Sequence, residues 1–484
     1  MKLRIIVLVY TTVTYFVYKE GYISIEPEIL FVCLSLILTA YLLIEIIRVR
    51  KNYIKSPWLN PVVLSSIFTF ILGFGIINIV FLFDGYYNTL LYNRFGNEPY
   101  SFLNVGLFLV IIGAVSLWVG YDIKAGERFY NYFINLPLIK KLLKKEFSIK
   151  KGLLLLFYLL SVLFRLYAIR LGIYGYSEDE TSVTQYANID LFINMFGQLG
   201  NFVLLILALS YFSKRDKSLI PFMAIVFVGE LFFGFISGSK AAVIAPALIF
   251  IITDLIINKR IRKSYIFATL VLVIAAYVVI EPFRYLRYYD KRFRSDLSHI
   301  VNTIEEAQKL KYVSQIIDIS QPQEILLTAL MRNNYAVETA KAIDFNDNVG
   351  LKEGDPDFKY NLLTIPLQAY IPKIIWPTKP ITSLGNWFTR NVWGYDQKSS
   401  TAMTPFGFLY FTGGVYLIIP FFIIFGIMCK FLYQFLRLNS GGILIYLGLI
   451  ATLIFIDSMV NAIFVTWLRS IPILLFLQYV VFKK

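Results

Sequence analysis

The stretch SFLNVGLFLVIIGAVSLWVGY, Ser101 to Tyr121, holds no charged residue in 21 positions. At ~1.5 Å per residue it is long enough to cross ~30 Å of hydrocarbon as a helix, with every interior backbone N–H and C=O satisfied within the segment. Similar runs recur on both sides of it. Of 484 residues, 58% are hydrophobic and 16% charged, against roughly 45–50% and 25% in a globular domain. That balance excludes a soluble enzyme and predicts an all-α polytopic membrane protein.

Hydropathy predicts about twelve spans: Leu3 to Tyr18, Ile29 to Ile47, Asn60 to Phe83, Ser101 to Tyr121, Gly152 to Gly172, Leu191 to Phe212, Leu219 to Ile236, Ala241 to Ile257, Tyr265 to Ile280, Pro405 to Phe431, Gly441 to Ile456 and Ile463 to Val481. The first follows Lys2 and Arg4 but lacks a small-x-small cleavage site, so it reads as a retained helix rather than a signal peptide. The division is residues 1–280, nine spans; 281–404, one large extracytoplasmic segment; and 405–484, three spans.

The net charge, 46 − 31 = +15, is an orientation signal. With the amino terminus inside, Arg48 to Lys55, Lys124 to Lys151, Lys214 to Lys217, Lys259 to Lys263 and the terminal Lys483 and Lys484 all fall in inner loops, while the short outer loops hold only Lys19 and Arg94. This satisfies the positive-inside rule and places both termini in the cytoplasm. The cations lie between spans rather than on one folded face, which argues against nucleic acid as a partner. Cys33 and Cys429 both lie in apolar runs, so they frame neither a disulfide nor a metal site.

The outer segment is nearly neutral. Ile304 to Ile317 and Gln323 to Ile343 look helical, and Asp344 to Gly350 reads as a loop between elements. Asp355-Pro356-Asp357 reads as a solvated turn.

Six cations lie within predicted spans or at their outer ends: Arg165, Arg170, Lys240, Arg284, Arg287 and Arg469. A charge left in hydrocarbon costs at least ~2.5–3.5 kcal/mol, so each needs a polar cavity, a partner or an anion. Lys240 starts a helix after Ser237-Gly238-Ser239, where free N–H groups and the helix dipole favour phosphate. Arg284 and Arg287 are spaced i, i+3 and share a face if helical, which suits a pyrophosphate. A buried acid would satisfy Arg165, Asp457 is a candidate partner for Arg469, and Arg170 is placed to snorkel. His299 is the sole histidine; its imidazole titrates near neutral pH.

Two motifs carry a family resemblance. Ile371-Pro372-Lys373-Ile374-Ile375-Trp376-Pro377-Thr378-Lys379-Pro380 precedes the glycine-bearing Thr404 to Val415, and Ser237-Gly238-Ser239-Lys240 opens a helix. In this order they resemble the Wzy-type oligosaccharide repeat-unit polymerases of bacterial O-antigen, common antigen and capsule synthesis. Lysine stands at 240 and 373 where that family more usually has arginine, which keeps the charge but loses the bidentate fork.

The resemblance implies a GT-C-like membrane glycosyltransferase in the bacterial cytoplasmic membrane. It would join polyprenyl-pyrophosphate-linked oligosaccharides on the outer face, with no cofactor and no metal, among membrane lipids. It leaves room for a polysaccharide chain-length regulator as a partner. Lys240, Arg284, Arg287, Arg165 and Arg170 are its pyrophosphate-binding candidates, Lys373, Trp376 and Lys379 its acceptor-loop motif, and Glu281 or His299 its base, with nothing in the sequence to select between the two. An O-antigen ligase is the alternative enzyme. A flippase or exporter of lipid-linked oligosaccharides is the alternative of another class.

Overall fold

The computed structural model describes residues 2–22, 25–49, 57–78, 91–92, 95, 99–143, 148–175, 189, 192–193, 195–259, 262–289, 334–380, 384–394, 403–438, 441–454 and 460–482. Among these, the elements are helical, and one isolated bridge joins Ile149 to Phe482. Nine helices among the described residues are long and apolar enough to cross a membrane. The chain is an all-α polytopic membrane protein.

In chain order the helices are α1 (Lys2–Lys19), α2 (Pro27–Val49), α3 (Pro61–Asn78), α4 (Pro99–Asp122), α5 (Ala125–Asn135), α6 (Pro137–Leu143), α7 (Lys151–Arg170), α8 (Leu199–Lys214), α9 (Ile220–Ser237), α10 (Lys240–Asn258) and α11 (Lys263–Tyr289). Then come α12 (Tyr335–Asn348), α13 (Phe358–Leu363), α14 (Ile365–Tyr370), α15 (Pro405–Gly413), α16 (Val415–Gln434), α17 (Gly441–Ile454) and α18 (Val460–Val481). Prolines open α2, α3, α4, α6 and α15, positions where a missing N–H costs nothing. Side chains of Asn60, Ser239, Asn334, Asp357 and Thr404 accept from backbone N–H groups at the starts of α3, α10, α12, α13 and α15, the standard remedy for orphaned donors.

Helix α4 is the axis of the bundle, buried nearly all round from Leu103 to Tyr121. It crosses α16 closely. A Cβ on Gly120 would strike the Ile423 carbonyl, and one on Gly426 the Leu117 carbonyl, so small residues on both helices let the backbones touch.

The two ends of the bundle differ. At the basic end, Arg4 donates through Nε to Glu45 Oε1 at 2.9 Å and through Nη1 to the Trp118 carbonyl at 3.1 Å, also pairs with Glu45 Oε2 and with Asp122, and lies 5.2 Å from the centre of the Trp118 ring. This ties α1 to α2 and α4. At the opposite end, called here the cap end, Lys19 donates to the Tyr410 hydroxyl at 2.6 Å and pairs with Asp347 at 3.1 Å, and Tyr410 donates to the same carboxylate. That joins α1 to α12 and α15.

Two expectations change. The span predicted from Pro405 to Phe431 is two helices, because Gly414 adopts φ 62° and ψ −151°, a conformation essentially confined to glycine. Asp344 to Asn348 is helical rather than a loop: Asn348 donates to Asp344 at 2.8 Å, Lys341 pairs with Asp344 at 2.7 Å, and Phe345 is buried. The polar run thus satisfies itself one turn apart, and the helix stops before Gly350, whose φ is 73°. Helices α12 and α15 pack into the cap half of the bundle. The Phe406 ring stacks on Phe422 at 4.8 Å and packs edge-on to Phe70 and Phe74, while Tyr335 lies 5.8 Å from Phe74. Ile304 to Ile317 lies outside the described residues.

Candidate functional site

Helices α7, α8, α9 and α10 approach one another at the cap end, where the last turns of α7 and α9 and the first turns of α8 and α10 enclose a cavity of about 290 Å³. Its polar wall is Arg165 of α7, Tyr174 just beyond that helix, Gln198 and Asn201 at the start of α8, and Glu230 and Ser237 of α9; Phe233 adds an aromatic face. Arg165 and Glu230 form a two-pronged pair, Nη1 to Oε1 at 2.7 Å and Nη2 to Oε2 at 2.9 Å, and both side chains are buried. The guanidinium lies 5.1 Å from the Phe233 ring centre. A planar fork of donors on a carboxylate is the geometry arginine makes well and lysine does not.

The local chain is shaped to admit the pair. A Cβ on Gly200 would overlap Glu230 Oε1, so glycine there gives the carboxylate its place. Ser161 of α7 donates to the Gly197 carbonyl at 2.8 Å and accepts from the Gly200 N–H at 3.1 Å, pinning the start of α8 against α7. Tyr174 donates to the Phe233 carbonyl at 3.3 Å.

One edge of the cavity is the α9–α10 turn. Gly238 takes φ 67° and ends α9, Ser237 donates to the Gly234 carbonyl at 2.7 Å and accepts from the Ser239 N–H, and Ser239 accepts from Ala242 N. Lys240 is the first residue of α10, as the sequence predicted. Arg284 and Arg287 fall in α11, which stays helical through Tyr289. Val243 of α10 packs with Ala276 and Ile280 of α11. One turn before Val243 is Lys240, and one turn after Ile280 is Arg284, so antiparallel register puts these positions at the same level. Glu281 lies in the same turn.

Other predicted residues stand apart. Arg170 ends α7 on an exposed face. Lys379 donates to the Ile371 carbonyl at 2.8 Å, Trp376 meets Tyr360 edge-on at 6.3 Å, and Lys373 is half-buried; none of the three lines the cavity. Arg469 donates to the carbonyls of Ala369 at 3.0 Å and Gln368 at 3.3 Å, at the end of α14. Asp355 accepts from Lys352 N and Trp387 Nε1, and Asp357 caps α13, so that triplet is architectural. His299 and Asp457 lie outside the described residues.

Glu230 is the member the charge inventory missed. Its signal was present: an acid alone in the apolar run Phe222 to Phe235, which must face a cation or a cavity. No protein-family model, curated protein or solved structure matches the chain.

Proposed function

We propose that the chain is an oligosaccharide repeat-unit polymerase of the bacterial cytoplasmic membrane, with both termini in the cytoplasm and the cap end facing out. The supporting observation is the cavity at that end. Arg165 and Glu230 cancel in charge, so this chamber suits neutral, hydroxyl-rich groups, which the Tyr174, Gln198, Asn201 and Ser237 side chains would hydrogen-bond, beside the apolar Phe233 face.

Charge for the pyrophosphate comes from the rim. Lys240 stands at a helix N-terminus, with the Arg284 and Arg287 positions level with it on α11 or one turn beyond. In the transfer, a hydroxyl of the incoming repeat unit attacks the anomeric carbon of the growing chain. The glycosidic C–O bond forms as the bond from that carbon to the lipid pyrophosphate oxygen breaks. The electron pair leaves with the pyrophosphate, where preorganised cations give their largest benefit. The hydroxyl proton passes to a base, with Glu281 the nearest in register. Arg165 thereby moves from pyrophosphate ligand to sugar-side wall.

The test is synthesis by purified protein in nanodiscs from polyprenyl-pyrophosphate-linked oligosaccharide, resolved on gels. A ladder from the wild type that is lost in Glu230→Gln and Lys240→Ala supports the proposal. Absence of a ladder together with movement of the lipid-linked substrate across sealed vesicles replaces it with a flippase.

A further inference from the structure

We propose that α13, α14 and the Ile371 to Trp376 turn form a re-entrant hairpin immersed in the lipid acyl chains of the leaflet at the cap end. Its hydrogen bonds to α18 set its depth.

The ruler is α18. Its far end is fixed at the basic end, where Lys150 N donates to the Val481 carbonyl at 2.9 Å and Gln478 donates to the Leu142 carbonyl at 2.9 Å. Its 22 residues rise about 33 Å, close to the ~30 Å hydrocarbon thickness. Asn461, one residue from the upper end, donates to Asn361 of α13 at 2.7 Å. Two turns further down, the Tyr370 hydroxyl donates to the Leu468 carbonyl at 2.6 Å, and Arg469 reaches the Gln368 and Ala369 carbonyls. Between those contacts the hairpin descends about 10–12 Å alongside a membrane span.

The chemistry of the two faces agrees. Toward α18 the hairpin presents Asn361 and Gln368, both buried, with Gln368 donating to the Asn361 carbonyl at 2.8 Å. Arg469 occupies the last carbonyls of α14, groups that hydrocarbon would leave unsatisfied. Away from α18 it presents Leu363, Leu367, Ile374 and Ile375, each between 51% and 79% exposed. Irregular backbone at this depth is tolerated where protein satisfies it on one side, and four outward apolar side chains level with a span have acyl chains as their surroundings. Lys373 and Lys379, each half-buried, have stems long enough to carry their ammonium groups up toward anionic headgroups. The proposal is independent of the catalytic reading.

Spin labelling tests it. In a Cys33→Ser, Cys429→Ala background, nitroxides are placed on Ile375→Cys and, as a second position, Leu367→Cys. Glu353→Cys in the exposed loop before α13 is the water reference, and Val228→Cys, 63% exposed on α9, is the lipid reference. Collision with oxygen at 375 and 367 should match that at 228, and collision with a neutral nickel chelate should be about tenfold below that at 353, because polar solutes are excluded from hydrocarbon. Nickel collision equal to that at 353 overturns the proposal in favour of a hairpin in water. Low collision with both reagents overturns it in favour of a protein-covered face.

Discussion

Among the described residues two arginines are buried, Arg4 and Arg165, and their surroundings differ. Arg4 is enclosed by two carboxylates, a carbonyl and an indole ring that together join three helices. Arg165 has one carboxylate, one ring face and a cavity wall. Both pay the desolvation cost of a buried ion, and a pair breaks even only when the remaining donors are also satisfied. At Arg4 the fold supplies those partners. At Arg165 it supplies an opening, and the proposed role of Arg165 rests on that difference.

The largest effect expected is on folding. Arg4→Ala leaves the buried Glu45 carboxylate without its main partner, and such losses cost about 3–5 kcal/mol. The thermal midpoint in nanodiscs should fall steeply; an unchanged midpoint would break the contrast between the two arginines. Glu230→Gln keeps the shape and one acceptor for Arg165 beside a cavity that admits water, so its stability loss should be smaller, about 1–3 kcal/mol. Its synthesis should fall on the order of 100-fold. The exchange Arg165→Glu with Glu230→Arg sharpens the point, since it should recover the midpoint while synthesis stays low. Recovery of both would make the pair scaffolding alone.

Lys240→Ala should lower synthesis about tenfold or more while the helix start, capped by Ser239, remains in place. Lys240→Arg should retain most activity, since the charge and the helix start remain. A Lys240→Ala enzyme with full synthesis removes the helix start from the pyrophosphate site.

Much of this was legible before any coordinates. Apolar run lengths report spans directly, because hydrocarbon thickness fixes helix length. Ser237-Gly238-Ser239 was readable as a turn because a left-handed glycine followed by a serine cap is local chemistry. Gly414 shows the limit: hydropathy runs unbroken through Phe411-Thr412-Gly413-Gly414-Val415, and only the backbone reveals that the chain reverses there. Asp344 to Asn348 shows a related limit: the run reads as a loop from its polarity, yet Phe345 within it is buried, and tertiary packing overrides that local preference. The Arg165–Glu230 pair joins residues 65 apart; the rule that an intramembrane acid needs a partner could flag Glu230, but only the fold selects Arg165.

The smallest effect belongs to an exposed ion pair at the basic end, which contrasts with the buried Arg4 cluster there. Asp216 accepts from the Ser218 hydroxyl and from the Ser218 N–H at 3.0 Å, and lies 3.5 Å from Lys151 Nζ. These hydrogen bonds, with the lysine adding to them, hold its carboxyl below the ordinary carboxylate range. A depressed folded-state pKa stabilises above the unfolded value of about 3.9 and loses that contribution as pH falls through the folded value. Asparagine caps about as well as aspartate, so Asp216→Asn removes charge while keeping the turn. The variant should melt slightly below wild type at neutral pH, the difference should shrink in high salt as the Lys151 attraction is screened, and it should fade as pH drops below the unfolded value of about 3.9 and on through the folded one. A difference that persists undiminished in acid would assign the effect to the shape of the turn, leaving buried clusters as the main electrostatic determinants of stability at this end.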